Sequence, residues 1–123
     1  MQKRVLVVDD NATIRLIVRT TIEMQTPFVV HEAVDGVDAI ERAETLNPDL
    51  VVMDLSMPRM DGLDASRTLK KLQHPPQIIL FTINKDRVTD SDADSAGLAA
   101  VIEKSEGLEP LLEQVQHLLQ PTY

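Results

Sequence analysis

A short apolar run that ends on an acid constrains the fold of this chain more than any other feature. The run is Leu50-Val51-Val52-Met53, and Asp54 follows it directly. A run of this length after the turn-like Asn47-Pro48-Asp49 predicts a strand that is buried on both faces of a sheet. Open α/β sheets carry their chemistry at the carboxyl ends of such strands, so Asp54 is the first candidate functional residue.

Three other strand-like runs also end near polar side chains. They lead to Asp9 and Asp10, to Thr82, and to Lys104. If the strands are parallel, their ends bring these side chains and Asp54 to one edge of the sheet. Three carboxylates at one place raise one another's pKa unless a cation neutralises them. Mg²⁺ prefers such oxygen ligands, so the pattern predicts a Mg²⁺ site at this edge.

Strand and helix patterns alternate along the whole chain. The strands are predicted near 4–8, 28–33, 50–54, 77–82 and 99–103, and the helices near 12–24, 37–46, 63–72, 87–96 and 107–119. This alternation predicts an α/β fold in which helices cover both faces of a parallel sheet. The helix near 87–96 is the weakest, because its Asp, Ser and Thr residues compete for backbone hydrogen bonds. We expect it to be short or frayed.

Length and composition limit the possible classes of protein. The 123 residues, 43% of them hydrophobic, suit a single domain over 1–123 with no effector domain. The net charge of −8 argues against direct nucleic-acid binding, which needs a basic face. The chain has no cysteine, no apolar run long enough to span a membrane and no signal-peptide pattern. We therefore expect a soluble cytoplasmic domain that has no contact with a membrane.

The ordered set of motifs resembles the receiver domain of two-component response regulators, the family that includes the bacterial chemotaxis response regulator. The resemblance covers essentially the whole chain and is carried by Asp9-Asp10, Asp54, Met57-Pro58-Arg59-Met60-Asp61-Gly62, Thr82 and Lys104. It implies a flavodoxin-like, doubly wound (βα)5 fold with strand order 2-1-3-4-5. It also implies a phosphorelay function, in which Asp54 takes a phosphoryl group from a histidine kinase or a phosphotransfer protein. Such a domain catalyses only its own phosphorylation and dephosphorylation, and switches contacts with an output protein or effector domain that the sequence does not identify.

The same resemblance implies a role for each site residue. Asp10 and Asp54 would hold Mg²⁺ directly, Asp9 would hold it through water, and the backbone carbonyl of Ser56 would complete the protein ligands. An ammonium and a hydroxyl, those of Lys104 and Thr82, would each contact a phosphoryl oxygen. The added negative charge would then draw the loop after the fourth strand inward and reshape the surface around 83–104.

Several of these residues also have simpler explanations. Asp9 could cap the first helix, although a cap does not explain two adjacent acids opposite Asp54. Asp61 is expected to cap the following helix and Gly62 to supply a permissive turn, without chemistry of their own. The histidines share no spacing with a nucleophile and are expected at the surface or in loops; they are His31, His74 and His117.

Three positions depart from the family pattern. Ile83 follows the switch Thr where a small residue is usual, so its side chain is predicted to shield Asp54 and slow phosphorylation or its reversal. Val101 stands where receivers often have Tyr or Phe and cannot make the inward swing of an aromatic ring. Ser105 replaces a proline that usually follows a cis peptide, and a cis bond before serine costs about 2.5–4 kcal/mol. We expect either strain there or a trans peptide with Lys104 displaced.

Two alternatives to the phosphoacceptor remain open. These departures suggest a receiver-like adaptor that binds partners without being phosphorylated, although all the acceptor-site residues are present. A Mg²⁺ phosphatase with an aspartyl-phosphate intermediate would also use an Asp and a Lys. The chain lacks the Asp-x-Asp acid/base pair of such a phosphatase after Asp54, and it has no cap domain.

Overall fold

A five-stranded parallel sheet forms the centre of the computed structural model, which describes residues 2–120. The strands are β1 (Arg4–Val8), β2 (Val29–Ala33), β3 (Leu50–Met53), β4 (Gln77–Thr82) and β5 (Ala100–Glu103). The helices are α1 (Ala12–Gln25), α2 (Gly36–Leu46), α3 (Gly62–Leu69), α4 (Asp90–Ala96) and α5 (Glu109–Leu118), with 3₁₀ turns at Lys85–Arg87 and Lys104–Glu106. The strands lie in the order β2-β1-β3-β4-β5, so the predicted α/β fold and its flavodoxin-like strand order are confirmed.

The three inner strands are buried on both faces. Every residue of β3 is buried, and β1 and β4 are exposed only at their first residues, Arg4 and Gln77. Alternate side chains of these strands enter two separate clusters. One cluster packs against α1 and α5, and the other against α2 and α3. Two-sided covering explains the continuous apolar run before Asp54, since no side chain of β3 faces water.

The helix predicted to be weakest is short, as expected. It forms α4, which has seven residues, of which only Ala96 is buried. A capping box closes its first turn: the hydroxyl of Thr89 accepts from the N–H of Asp92, and the Asp92 carboxylate accepts from the N–H of Thr89. With so little buried side-chain surface, α4 depends strongly on its cap.

Some details differ from the sequence-based expectation. His31 lies in the edge strand β2 and is half-buried, so it is not in a loop, whereas His74 and His117 are exposed. The predicted frayed tail, residues 121–123, lies outside the part of the chain that the structure describes. No helix within residues 2–120 is long and apolar enough to cross a membrane.

A cavity of about 870 Å³ marks the edge of the sheet where the strands begin. Gln2 and Lys3, which precede β1, and Leu119 and Gln120, which follow α5, help to line it together with Phe28. The first and last described residues therefore lie close together, at the edge opposite to the ends of the strands.

Amides of α4 are expected to exchange with solvent faster than those of β3 and β4, because this helix has few buried side chains. Thr89→Ala should accelerate exchange in α4 further by removing the cap, and leave α5 unchanged. Hydrogen exchange followed by NMR measures both effects. Exchange in α4 as slow as in the central strands would contradict the prediction.

Candidate functional site

Four of the five strands deliver polar side chains to the carboxyl edge of the sheet. Asp9 follows β1, Asp54 follows β3, Thr82 ends β4 and Lys104 follows β5. The backbone fixes the two acids: the N–H of Asp54 donates to the Val8 carbonyl at 3.0 Å, and that of Asp9 donates to Ala33 at 3.2 Å. The predicted convergence of these residues at one edge is therefore what the fold produces.

Three carboxylates form a cluster at this edge. Asp9, Asp10 and Asp54 each offer an oxygen atom, and these atoms all lie within 4.8 Å of one another. Asp9 and Asp54 are buried, at 3% and 8% exposure, whereas Asp10 is exposed. Hard oxygen ligands at this spacing are suited to a divalent cation such as Mg²⁺. The cluster opens to solvent on the side of Asp10.

Lys104 bridges the two buried acids. Its Nζ atom lies 2.7 Å from Asp9 Oδ2 and 3.5 Å from Asp54 Oδ2. The same ammonium lies 5.9 Å from the centre of the Phe81 ring, within range of a cation–π contact. One positive charge is therefore shared between two carboxylates in a poorly solvated place.

Backbone N–H groups also donate to the two buried acids. The N–H of Leu55 donates to Asp54 Oδ1 at 2.8 Å, and the N–H of Asn11 donates to Asp9 Oδ1 at 2.9 Å. Asn11, not Asp9, caps α1, because its side chain accepts from the N–H of Ile14. The simpler explanation of Asp9 as the cap of the first helix is therefore wrong.

Burial raises the pKa of Asp54 above its ordinary value. Desolvation is the largest cause, and the charge of Asp9 adds to it, while Lys104 and the Leu55 N–H act in the opposite direction. A low-dielectric environment penalises the charged form of an acid unless enough positive charge is nearby. One lysine does not fully offset the carboxylates around Asp54, which leaves the site with room for more positive charge.

The hydroxyl of Thr82 is fully buried at the end of β4. Its oxygen accepts a hydrogen bond from the N–H of Asn84 at 3.1 Å. The strand register pairs Thr82 with Glu103, the residue before Lys104. In addition, Glu103 Oε1 accepts from the N–H of Lys85 at 3.2 Å, which ties the loop after β4 to β5.

Ser56 lies on the β3–α3 loop, residues 54–61, two positions after Asp54, and its side chain is exposed. The N–H of Gly62 donates to the Leu55 carbonyl at 2.8 Å and closes this loop. Asp61 caps α3 as predicted, by accepting from the N–H of Asp64. The permissive turn predicted for Gly62 is not what requires glycine, because its φ is not positive. Glycine is needed since a Cβ at this position would overlap the carbonyl oxygen of Asp54.

The three residues that depart from the family pattern differ in their surroundings. Ile83 is 67% exposed, directly after Thr82. Val101 is half-buried and packs against the core cluster on the α2 and α3 side. Residues 2–120 contain no cis peptide, so Ser105 follows a trans bond, and it lies within the 3₁₀ turn Lys104–Glu106. Lys104 still reaches both Asp9 and Asp54 across that trans bond.

One basic side chain beside the site could not be predicted from the sequence. Arg15 on α1 donates to the backbone carbonyl of Asp9 at 2.8 Å and pairs with Glu32 on β2 at 3.1 Å. This contact fixes the backbone that carries Asp9. Nothing in the sequence pairs Arg15 with Glu32, because the two lie 17 positions apart on different elements.

A doubly wound α/β fold with a lysine-paired cluster of acids at the carboxyl edge of its sheet defines a class of signalling domain. The chain belongs to the response regulator receiver domain family, whose model matches residues 5–116. Receiver domains of this kind are signalling domains and not catalysts acting on a separate substrate. The resemblance seen in the sequence is thereby confirmed.

Individual relatives differ in how much of their length the chain covers. It is 40% identical over 108 residues to a protein-glutamate methylesterase/protein-glutamine glutaminase of Myxococcus xanthus, covering 86% of this chain and 31% of that protein. It is 33% identical over 119 residues to the chemotaxis protein CheY of Bacillus subtilis, covering 97% of this chain and 99% of the relative. The chain thus covers only 31% of that methylesterase and 49% of the transcriptional regulatory protein PdtaR of Mycobacterium tuberculosis, and only the receiver part of the methylesterase matches.

A solved structure with the same fold is the response regulator TrrA of Thermotoga maritima in complex with Mg(2+)-BeF. The TM-score is 0.86 at 29% identity, covering 96% of this chain and 100% of that one.

Replacing Asp54 by Asn is expected to stabilise the metal-free protein at neutral pH by a few degrees in Tm. A raised folded-state pKa means that the stability contributed by this carboxyl is complete below its unfolded pKa, near 3.8, and is lost as the pH rises through the folded pKa. Asn keeps an oxygen for the Leu55 N–H. Thermal unfolding in EDTA at pH 7 and at pH 3.5 measures the gain, which should shrink at the lower pH.

The exposed acid Asp86 offers a control, since Asp86→Asn should leave Tm nearly unchanged at both pH values. A lower Tm for Asp54→Asn at pH 7 would show that the ionised carboxylate is well compensated in the folded protein.

Proposed function

We propose that this chain is a phosphoacceptor receiver, which takes a phosphoryl group onto Asp54 and changes its protein contacts in response. The observation that carries the proposal is the buried carboxylate of Asp54 at the edge of the sheet, within reach of Lys104 and two further acids. A carboxylate is a weak nucleophile, and it accepts a phosphoryl group when nearby positive charge offsets the charge of the incoming group.

In the transfer, a carboxylate oxygen of Asp54 forms a bond to phosphorus while the bond from phosphorus to the donor breaks. From a phosphohistidine donor, the electron pair of the breaking P–N bond returns to the imidazole nitrogen, which can take a proton from water. The product on this chain is an acyl phosphate. Asp54 must be ionised to act, and the neighbouring Lys104 favours that form.

The acids fit a divalent cation by charge and by ligand type. Three carboxylates and the ammonium of Lys104 leave the site two negative charges in excess, which matches the charge of Mg²⁺. We propose that Asp10 and Asp54 bind it directly, Asp9 through water and Ser56 through its backbone carbonyl. The bound ion would supply positive charge between the carboxylate and the phosphoryl oxygens. The Mg(2+)-BeF complex of the similar TrrA supports the proposal.

Lys104 and Thr82 then stabilise the phosphorylated form. Lys104 is near enough to Asp54 to contact a phosphoryl oxygen as a point charge. Thr82 accepts from the Asn84 N–H, which leaves its own hydroxyl proton for another phosphoryl oxygen. Phosphorylation adds about −1.5 to −2 charge, so it draws Thr82 and the following loop toward Asp54. Because Val101 has no ring to swing, we propose that backbone movement in residues 83–104 carries the signal.

Partners follow from the family rather than from this site alone. We propose a histidine kinase or phosphotransfer protein as donor, and an output protein or a linked effector domain as receiver of the signal, all in the cytoplasm. Among relatives, the CheY proteins have the length of a single receiver and the methylesterases carry a further part. We propose that residues 1–123 act as one receiver unit in either setting.

A receiver-like adaptor that is never phosphorylated is the second candidate. The 2.7 Å contact between Lys104 and Asp9 favours it, because it partly neutralises the acids without a metal ion. The departures at Ile83, Val101 and Ser105 point the same way. Phosphorylation itself distinguishes the two candidates.

Incubation with acetyl phosphate and Mg²⁺ is expected to add one phosphoryl group to the wild-type chain. The adduct should be absent without Mg²⁺ and absent from Asp54→Asn, because both the cation and the nucleophile are required. Intact-protein mass spectrometry measures the adduct directly. A beryllofluoride complex followed by NMR offers a second readout in the absence of turnover.

Asp61→Asn is the matched control, since Asn still caps α3 and Asp61 lies outside the acid cluster. This variant should be phosphorylated like the wild type. If the folded wild-type chain gives neither adduct nor beryllofluoride complex, the adaptor becomes the better account.

Ile83→Ala is expected to speed phosphorylation by acetyl phosphate several-fold, and to speed loss of the phosphoryl group, because a smaller side chain gives better access to Asp54. Time courses of the adduct mass measure both rates. Met24→Ala is the control, because Met24 is also highly exposed and lies at the far end of α1. Equal rates for Ile83→Ala and the wild type would show that Ile83 does not shield the site.

A further inference from the structure

An ion pair away from the acid cluster connects α2 to the β3–α3 loop. Arg59 Nε donates to Asp35 Oδ2 at 2.7 Å, and its Nη2 donates to Asp35 Oδ1 at 3.0 Å. Two parallel hydrogen bonds between a guanidinium and a carboxylate fix direction as well as distance. The Asp35 side chain is 6% exposed and that of Arg59 is 58% exposed, so an outer arginine is anchored on an inner acid.

Asp35 is itself rigidly placed. It is the N-cap of α2, and its Oδ1 atom accepts from the N–H of Asp38 at 2.9 Å. The Arg59 guanidinium, and after it this N–H, hold the pKa of the Asp35 carboxyl below its ordinary value. The acid therefore stays ionised, and the anchor point of Arg59 cannot move without loss of the helix cap.

Arg59 has a backbone conformation that few side chains adopt. Its φ is +67°, in the left-handed region where glycine, asparagine and aspartate are common and arginine is not. Such a conformation persists where surrounding contacts determine it. The fork on Asp35 is a contact that can do so.

The loop around Arg59 packs closely on the start of α2 and on the residues that follow β3. Gly36, the first residue of α2, lies so near the Met60 carbonyl that a Cβ would stand 2.9 Å from its oxygen. The N–H of Met60 donates to Pro58 at 2.8 Å, and that of Gly62 donates to Leu55 at 2.8 Å. These contacts restrict movement of the loop that carries Ser56 relative to Asp54.

We propose that Arg59 is a positioning residue for the metal ligands: its fork on Asp35 fixes the β3–α3 loop, and with it the Ser56 carbonyl, at the edge where Asp54 lies. Arg59 touches neither the cation nor the phosphoryl group. It acts through the backbone, as outer partners that orient metal ligands do. The inference rests on the proposed Mg²⁺ site and adds to it a residue on which the affinity for the ion depends.

Calorimetric titration with Mg²⁺, without any phosphodonor, tests this role. Arg59→Ala is expected to weaken Mg²⁺ binding about 10-fold, the lower end of the range for groups that orient a metal ligand. Asp35→Asn keeps a good helix cap but loses the charged fork, and should weaken binding similarly. The double variant should bind no more weakly than either single one, since both remove the same contact. The Mg²⁺ affinity of Arg59→Lys should lie between those of the wild type and Arg59→Ala, because an ammonium is a point charge and cannot form the two parallel hydrogen bonds.

Arg42→Ala is the matched control, because the Arg42 side chain pairs at 3.2 Å with Asp38, which lies on α2 itself and not on the β3–α3 loop. Its Mg²⁺ affinity should equal that of the wild type. In metal-free protein, Arg59→Ala should also speed hydrogen exchange at the amides of Met60 and Gly62, a readout that does not depend on the ion.

The outcomes separate the two claims. If the wild type binds Mg²⁺ and Arg59→Ala binds it equally well, the positioning role is wrong and the proposed function stands. Additive losses in the double variant, or a loss as large in Arg42→Ala, would also overturn it, because the effect would then reflect general stability or charge. A wild type that binds no Mg²⁺ would overturn the metal site and, with it, this inference.

Discussion

Repulsion between two buried carboxylates is the constraint on which the site depends. Asp9 and Asp54 continue neighbouring strands, and the hydrogen bond from Asp54 to Val8 prevents the sheet from separating them. Their negative charges therefore need a cation brought from elsewhere. Lys104 provides it from β5, across β4, and the Phe81 ring lies beneath its ammonium. The order of the strands thus matters to the chemistry, because β5 must lie close enough to β3 and β1 for Lys104 to reach both acids.

What the sequence could predict depends on how local the cause is. The burial of β3 follows from its own apolar residues, and the meeting of Asp9, Asp54, Thr82 and Lys104 follows from parallel strands ending at one edge. Pairings between side chains on separate elements, such as that of Arg15 with Glu32, could not be predicted. The role of Gly62 was predicted incorrectly, because a close approach to another part of the backbone leaves no trace in local sequence, whereas a turn does.

The atoms of the site are held with unequal firmness. Asp9 and Asp54 are fixed by the hydrogen bonds of the sheet, and Lys104 by two ion pairs. Ser56 is on a loop and is not held by the hydrogen bonds of a strand. The loop is held instead by the ion pair of Arg59 and by close backbone packing at Gly36 and Gly62. Thr82 is joined to a loop by the Asn84 N–H, and α4 beyond it has a single buried residue. Rigidity therefore decreases from the strands that hold the acids toward the surface that would report their state.

The cavity at the edge where the strands begin determines where a label can be attached without disturbing the site. Gln2 and Gln120 both line it, whereas the acids lie beyond the far ends of the strands. Strand β1 alone separates the two edges by about 16 Å, at about 3.3 Å per residue. The chain has no tryptophan, so fluorescence experiments that need a strong emitter would use an attached dye. A dye or surface tether joined at Gln2 or Gln120 would leave the mouth of the acid cluster unobstructed, and would be too distant to sense small local rearrangements there.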